Sequence, residues 1–138
     1  MYTCKYFRIE ELVPRDVFNV RGNASWELLD EKILITIDRL RKRYGPMTIN
    51  NWVWGGDRMW SGLRTSDSPY YSRFSQHSFG RAVDVLFKNI TAEEVRQDIL
   101  NNKNDEAFEY INSFESNVSW LHIDVRNCTR VKVYSPWK

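Results

Sequence analysis

An aspartate sits in the middle of an apolar run, Ala82-Val83-Asp84-Val85-Leu86-Phe87. The run has strand composition, so Asp84 belongs to a sheet that is largely buried. A buried carboxylate without a partner is costly, so the fold must bring a cation to it. Two answers are open from the residues alone. Asp84 pairs with Arg64 or Arg81 and the histidines are ordinary polar residues, or Asp84 is one ligand of a metal ion.

The chain contains two histidines, and both stand where the second answer needs them. His77 precedes Asp84 by seven residues, with Gly80 between them to permit a sharp turn. His122 lies in a segment, residues 118–125, that alternates. Trp120, His122 and Asp124 share one strand face, and Leu121, Ile123 and Val125 share the other. The apolar set faces the core, which turns His122 toward a cleft. A catalytic zinc ion takes three protein ligands of imidazole and carboxylate type and keeps one position open. His77, Asp84 and His122 are therefore the candidate metal ligands, with zinc the expected ion.

Length and composition narrow the class. A chain of 138 residues is one domain, residues 1–138, and is long enough to bury a core without staples. Twenty basic residues against 18 acidic ones leave a net charge of +2, too balanced for a nucleic-acid partner. Cys4 and Cys128 lack the CxxC spacing of a cysteine zinc site. The N-terminus has no apolar stretch of the secretory type, and no apolar run approaches a membrane span. Six tryptophans suit a core and a ligand cleft, with Trp52, Trp54 and Trp60 expected as core and cleft wall.

The period of the apolar residues predicts short turns over residues 1–20 ending at Pro14. A helix over residues 25–44 follows, capped by Ser25 and closed by Gly45-Pro46. Residues 47–54 read as a strand, and residues 57–74 as a long loop of the kind that carries function. Residues 82–88 read as a strand. Thr91-Ala92-Glu93-Glu94 is a capping box opening a helix to Asn101. A short helix over 104–114 and strands over 118–125 and 130–134 complete the chain. The fold class is α+β, with a small, mostly antiparallel sheet flanked by helices.

The segment Ser75-x-His77-x-x-Gly80-Arg81-Ala82-x-Asp84 resembles the SxHxxGxAxD signature of the zinc D-alanyl-D-alanine carboxypeptidase and L-alanyl-D-glutamate peptidase family, whose fold is shared with the hedgehog signalling domain. Ser61-Gly62-Leu63-Arg64 resembles that family's SGxR element, and Trp120-x-His122-x-Asp124 its C-terminal element. Tyr6-Phe7-x-x-x-Glu11-Leu12 is similar to the start of a phage-encoded and bacterial branch. The resemblance spans residues 6–126. It implies His77, Asp84 and His122 as zinc ligands, Arg64 as the group that binds the substrate carbonyl or its oxyanion, and Ser75 as a supporting or substrate-binding residue. The partner it implies is the peptidoglycan stem peptide. The setting is a phage lysin in the host cytoplasm before lysis, or a component of the phage virion among its proteins.

One position departs from the pattern. The family carries Glu or Asp three residues before its last histidine, as general base, and here that residue is Ser119. A serine does not take a proton as a carboxylate does. Asp124 stands in as base or orients His122 from behind; Glu115 returns to the site if the chain turns at Ser116-Asn117; Asp57 and Asp67 are further carboxylates in the long loop. The sequence thus supports two function classes: a zinc peptidase cutting a peptidoglycan peptide bond, and a non-catalytic zinc-stabilised module that is structural or wall-binding in a phage particle.

Overall fold

The computed structural model of the chain describes residues 1–128 and 131–135. Among the described residues there are three α-helices and a five-stranded sheet. The helices are α1 (Arg15–Arg21), α2 (Glu31–Tyr44) and α3 (Ala92–Asn101). The strands are β1 (Met47–Thr48), β2 (Ala82–Phe87), β3 (Ser113–Glu115), β4 (Leu121–Asp124) and β5 (Lys132–Tyr134), in the order β1-β2-β4-β3-β5. The α+β class is as the sequence predicts. The sheet, however, is mixed rather than mostly antiparallel. β5 runs parallel to β3, because the chain leaves β4, passes β3 and returns along its outer edge. No helix among the described residues is long and apolar enough to cross a membrane.

One sheet face is the core face. Val83, Val85, Phe114, Leu121 and Ile123 pack with Ile33, Ile37 and Leu40 of α2 and Val95 and Ile99 of α3 in a single apolar cluster. Alternation then sends Asp84 and His122 to the other face. They stand directly opposite each other across the β2–β4 ladder.

Several element boundaries differ from the sequence reading, each for a tertiary reason. The helix expected over 25–44 begins at Glu31. Asp30, not Ser25, caps it by accepting from the Lys32 N–H, while residues 22–28 form a 3-10 stretch in which Ser25 and Trp26 are buried. The strand expected over 47–54 stops at Thr48, because Asn50 and Trp52 are drawn out of the sheet. The Asn50 side chain donates to the Val13 carbonyl and accepts from the Ser61 N–H, and the Trp52 indole donates to Val13. Trp52 is buried as expected, whereas Trp54 is 61% exposed. Helix α1 follows Pro14 directly, in a stretch where only short turns were expected. The helix expected over 104–114 shrinks to a turn at Glu106–Phe108, and Asn112 pairs instead with Asp124 of β4. The last strand begins at Lys132; Arg130, where it was expected to start, lies outside the described residues. Residues 57–74 contain no helix or strand, as expected.

Candidate metal centre

The two strand-borne ligands owe their places to register. Pairing Asp84 with His122, and Ser113 with Asp124 on the neighbouring strand, brings Glu115 to the other side of His122. The Glu115 Oε1 lies 4.0 Å from His122 Nδ1. Asp84, His122 and Glu115 thus form one row across three strands.

His77 comes from a loop and is fixed differently. It rides on a 3-10 turn, Gln76–Phe79, whose first free N–H groups include its own; the Ser75 hydroxyl oxygen accepts from it. Gly80 closes the turn at φ +69°, a left-handed conformation that glycine adopts without strain. A Cβ there would also stand 2.1 Å from the Leu28 carbonyl. The turn is pinned to α2 by the Asp30 N–H, which donates to the Gly80 carbonyl. Gly62 meets the same demand from the opposite side: a Cβ would stand 2.2 Å from the Leu12 carbonyl oxygen. That close approach leaves the Gly62 carbonyl free to receive His77 Nδ1 at 2.8 Å.

These contacts settle which nitrogens face inward. A carbonyl only accepts, so His77 Nδ1 carries the hydrogen that binds Gly62, and Nε2 is the inward atom. His122 Nε2 lies 3.0 Å from Asp124 Oδ2 and donates to it, so Nδ1 is the inward atom. His77 Nε2 is 3.3 Å from His122 Nδ1 and 3.3 Å from Asp84 Oδ1, and His122 Nδ1 is 2.9 Å from that oxygen. Three such atoms crowded together form a pocket that a cation can occupy. Their spacing suits one: corners of a tetrahedron about 2.0 Å from its centre lie about 3.3 Å apart, the geometry of imidazole and carboxylate ligands around a small divalent ion. His77, Asp84 and His122 can hold a metal ion together.

The supporting contacts are complete. The second Asp84 oxygen accepts from Arg64 at 2.8 Å, and Arg64 is steadied by donating to the Trp60 carbonyl at 2.7 Å. Burial pushes the Asp84 carboxyl up, but its electrostatic interaction with His77 and its hydrogen bond with His122 outweigh it and hold the carboxyl well below the usual carboxylate range. Burial pushes His122 down, but its bonds to Asp124 and Asp84 prevail and raise it to about 9. Asp124 is fully buried and held in a fork by the Arg126 guanidinium at 2.8 and 2.7 Å. Outer partners of this kind fix the orientation of a ligating imidazole and raise its basicity.

The chain matches no protein-family model, no curated protein and no solved structure. What the site can do therefore rests on its own residues.

The triad opens onto a cleft of about 760 Å³ whose walls include Arg58, Trp60, Arg64, Tyr70, Phe74 and Trp120. Glu115, Ser75 and Asp57 also reach it, whereas Asp124 stands behind His122 and Asp67 does not line it. Ser119 is exposed on a separate shallow groove with Leu86, Phe87 and Thr91. The carboxylate beside the triad thus arrives from β3. Arg81 is half exposed and its nearest carboxylate is Asp30, at 3.7 Å.

Three contributors escaped the sequence reading. Arg96, 4% exposed, lies in the buried stripe of α3 with Ala92, Val95 and Ile99. It donates to the carbonyls of Val118 and Trp120, which fastens the turn between β3 and β4. A charge inside an apolar helical stripe is the signal that marks it. Arg126 continues the alternation of Trp120, His122 and Asp124 and was legible on the same ground. Arg58, in the irregular loop, carries no such signal.

Proposed function

We propose that this protein is a zinc-dependent peptidase that cuts a peptide bond in the stem or cross-link of bacterial peptidoglycan. The observation that carries the reading is the convergence of two oriented imidazoles and one carboxylate at the wall of an open cleft, with a second carboxylate, Glu115, beside them. A site of two nitrogens and one oxygen that faces solvent fits catalytic zinc better than a closed structural site. The substrate class comes from the resemblance of the segments around Arg64, His77–Asp84 and His122.

His77, Asp84 and His122 would hold the ion, which when bound supplies Lewis-acid polarisation of a carbonyl and acidifies a water. Glu115 takes the proton of the attacking water and returns it to the leaving nitrogen. Arg64 places positive charge on the cleft wall where a tetrahedral intermediate develops its oxyanion. Asp124 and Arg126 keep His122 in the tautomer whose Nδ1 faces the cleft, and Ser75 steadies the turn that carries His77. The aromatic walls suit an extended chain. The setting that goes with this reading is a phage lysin, free or carried in the virion.

The test is digestion of purified peptidoglycan by zinc-loaded protein, with products read by mass spectrometry. New peptide termini should appear, vanish with a chelator and return with zinc. Stems that stay intact over prolonged incubation would leave the triad as a structural site and end the peptidase reading.

A further inference from the structure

A second groove lies beside the cleft, between α1 and the loop of residues 63–78, and the peptidase chemistry does not use it. Its volume is about 510 Å³. Val17, Leu28, Leu63 and Tyr71 give it an apolar side, and Thr65 adds a hydroxyl. That Thr65 oxygen is buried and has no hydrogen-bond partner among the described residues. A buried hydroxyl without a partner is costly, so it marks a point where a ligand's polar atom would be held. Arg64 lines both the groove and the cleft, which makes the two continuous.

The intervening loop is stiffened by its own hydrogen bonds. The Arg64 N–H donates to the His77 carbonyl at 3.1 Å and closes the loop at its base. Within it, the Ser68 N–H donates to the Thr65 carbonyl, the Tyr71 N–H to the Ser68 carbonyl, and the Ser78 hydroxyl to the Ser72 carbonyl. This loop holds three aromatic rings in solvent: Tyr70 is 67%, Tyr71 41% and Phe74 75% exposed. Tyr70 and Phe74 line the cleft, and Tyr71 lines the groove. Clustered apolar rings left outside the core mark a contact surface, and a preorganised loop lowers the ordering cost of binding there. The ring faces are electron-rich and attract polarised C–H bonds.

We infer that this groove and the rings beside it bind the N-acetylated glycan strand that carries the stem peptide. The inference deepens the peptidase reading and rests on it, because a stem held in the cleft brings its glycan to the rim. The ring faces match the C–H face of a pyranose. An acetamido group matches the groove, its methyl against the apolar side and its amide N–H toward the Thr65 oxygen.

The test uses sugars that carry no peptide. Chelator-treated protein is titrated by calorimetry with chitotetraose, the tetramer of N-acetylglucosamine, and with cellotetraose, which lacks the acetamido groups. Chitotetraose should bind roughly tenfold or more tighter, the weight of one hydrogen bond and one buried methyl. Tyr71→Ala should weaken chitotetraose binding about three- to tenfold, the range of a lost ring contact. Thr65→Val keeps the shape, removes the hydroxyl, and should erase most of the preference over cellotetraose. Melting temperatures check that both variants remain folded. Equal affinity for the two sugars, or none for either at millimolar concentration, overturns the inference without any variant, and so does binding that Tyr71→Ala leaves untouched. No turnover is involved. Intact peptidoglycan with normal sugar binding sinks the peptidase reading alone, and cleaved peptidoglycan without sugar binding sinks the glycan groove alone.

Discussion

Two ligands of the candidate metal centre stand on strands and the third stands on a loop, and the two halves are held by different physics. Asp84 and His122 are placed by the β2–β4 register, and the register is enforced by the apolar core on the opposite face. A one-residue slip of either strand would turn its polar ligand into the apolar core and its apolar residue, Val83 or Leu121, out of it, so the whole core resists it. His77 has no such guarantor. It depends on individual contacts: the Gly62 carbonyl, the Ser75 cap, and two glycines that let backbones touch. The strand half is a by-product of folding, while the loop half has to be built contact by contact.

Removing the strand-borne imidazole should have the largest effect. His122→Ala leaves two ligands, and metal analysis should show substoichiometric zinc together with complete loss of peptidoglycan cleavage. Stoichiometric metal in that variant would refute the triad. Glu115→Gln belongs to the same strand row but touches only the chemistry. It should keep its zinc and lose about 10²–10⁴ in rate, the usual weight of a general base; unchanged rate would return the role to another carboxylate.

The next comparison sets the halves against each other. Asp124→Asn loosens the orientation of His122 and should weaken zinc binding about 10–100-fold in a competition titration, with the melting temperature measured in parallel. Gly62→Ala acts on the loop half. The added methyl collides with the Leu12 backbone and should cost about 1–3 kcal/mol of stability, with a displaced His77 and weaker zinc binding as well. If Gly62→Ala leaves zinc affinity untouched, the loop half is less dependent on its backbone contacts than the geometry indicates.

The smallest effect is a pH dependence. Without metal, a proton on His122 takes the cation's place between Asp84 and Asp124. Its folded value of about 9 lies above the ordinary histidine value, so this stabilisation is full below about pH 6.5 and is lost as pH rises toward 9. Chelator-treated protein should therefore melt at lower temperature at pH 9 than at pH 6.5, and zinc-loaded protein should show a much smaller drop. A flat profile for the metal-free protein would remove the proton from that position.

The same division explains what was legible in the sequence. Alternation around His122 and the lone acid at Asp84 give the strand half from local pattern, and the capping box at Thr91–Glu94 gives α3. The start of α2 lies later than the apolar period implies because Asp30 is fixed partly by the distant Gly80 carbonyl, which no local pattern reveals. The premature end of β1 has the same origin in the bonds from Asn50 and Trp52 to Val13. The parallel β5 depends on how the chain turns after β4, a long-range choice. In the sequence Glu115 is one carboxylate among several, because its value lies in register with His122 rather than in its sequence distance from it.

Arg96 carries a consequence for insertions and deletions. Its guanidinium spans the carbonyls of a turn with a fixed number of residues, and Asn117 within that turn already holds a left-handed φ of 62°. Adding or removing a residue there would pull the Val118 and Trp120 carbonyls away from a buried guanidinium and shift Glu115 relative to His122. The β3–β4 connection, a surface turn by position, should therefore be as intolerant of length change as the core.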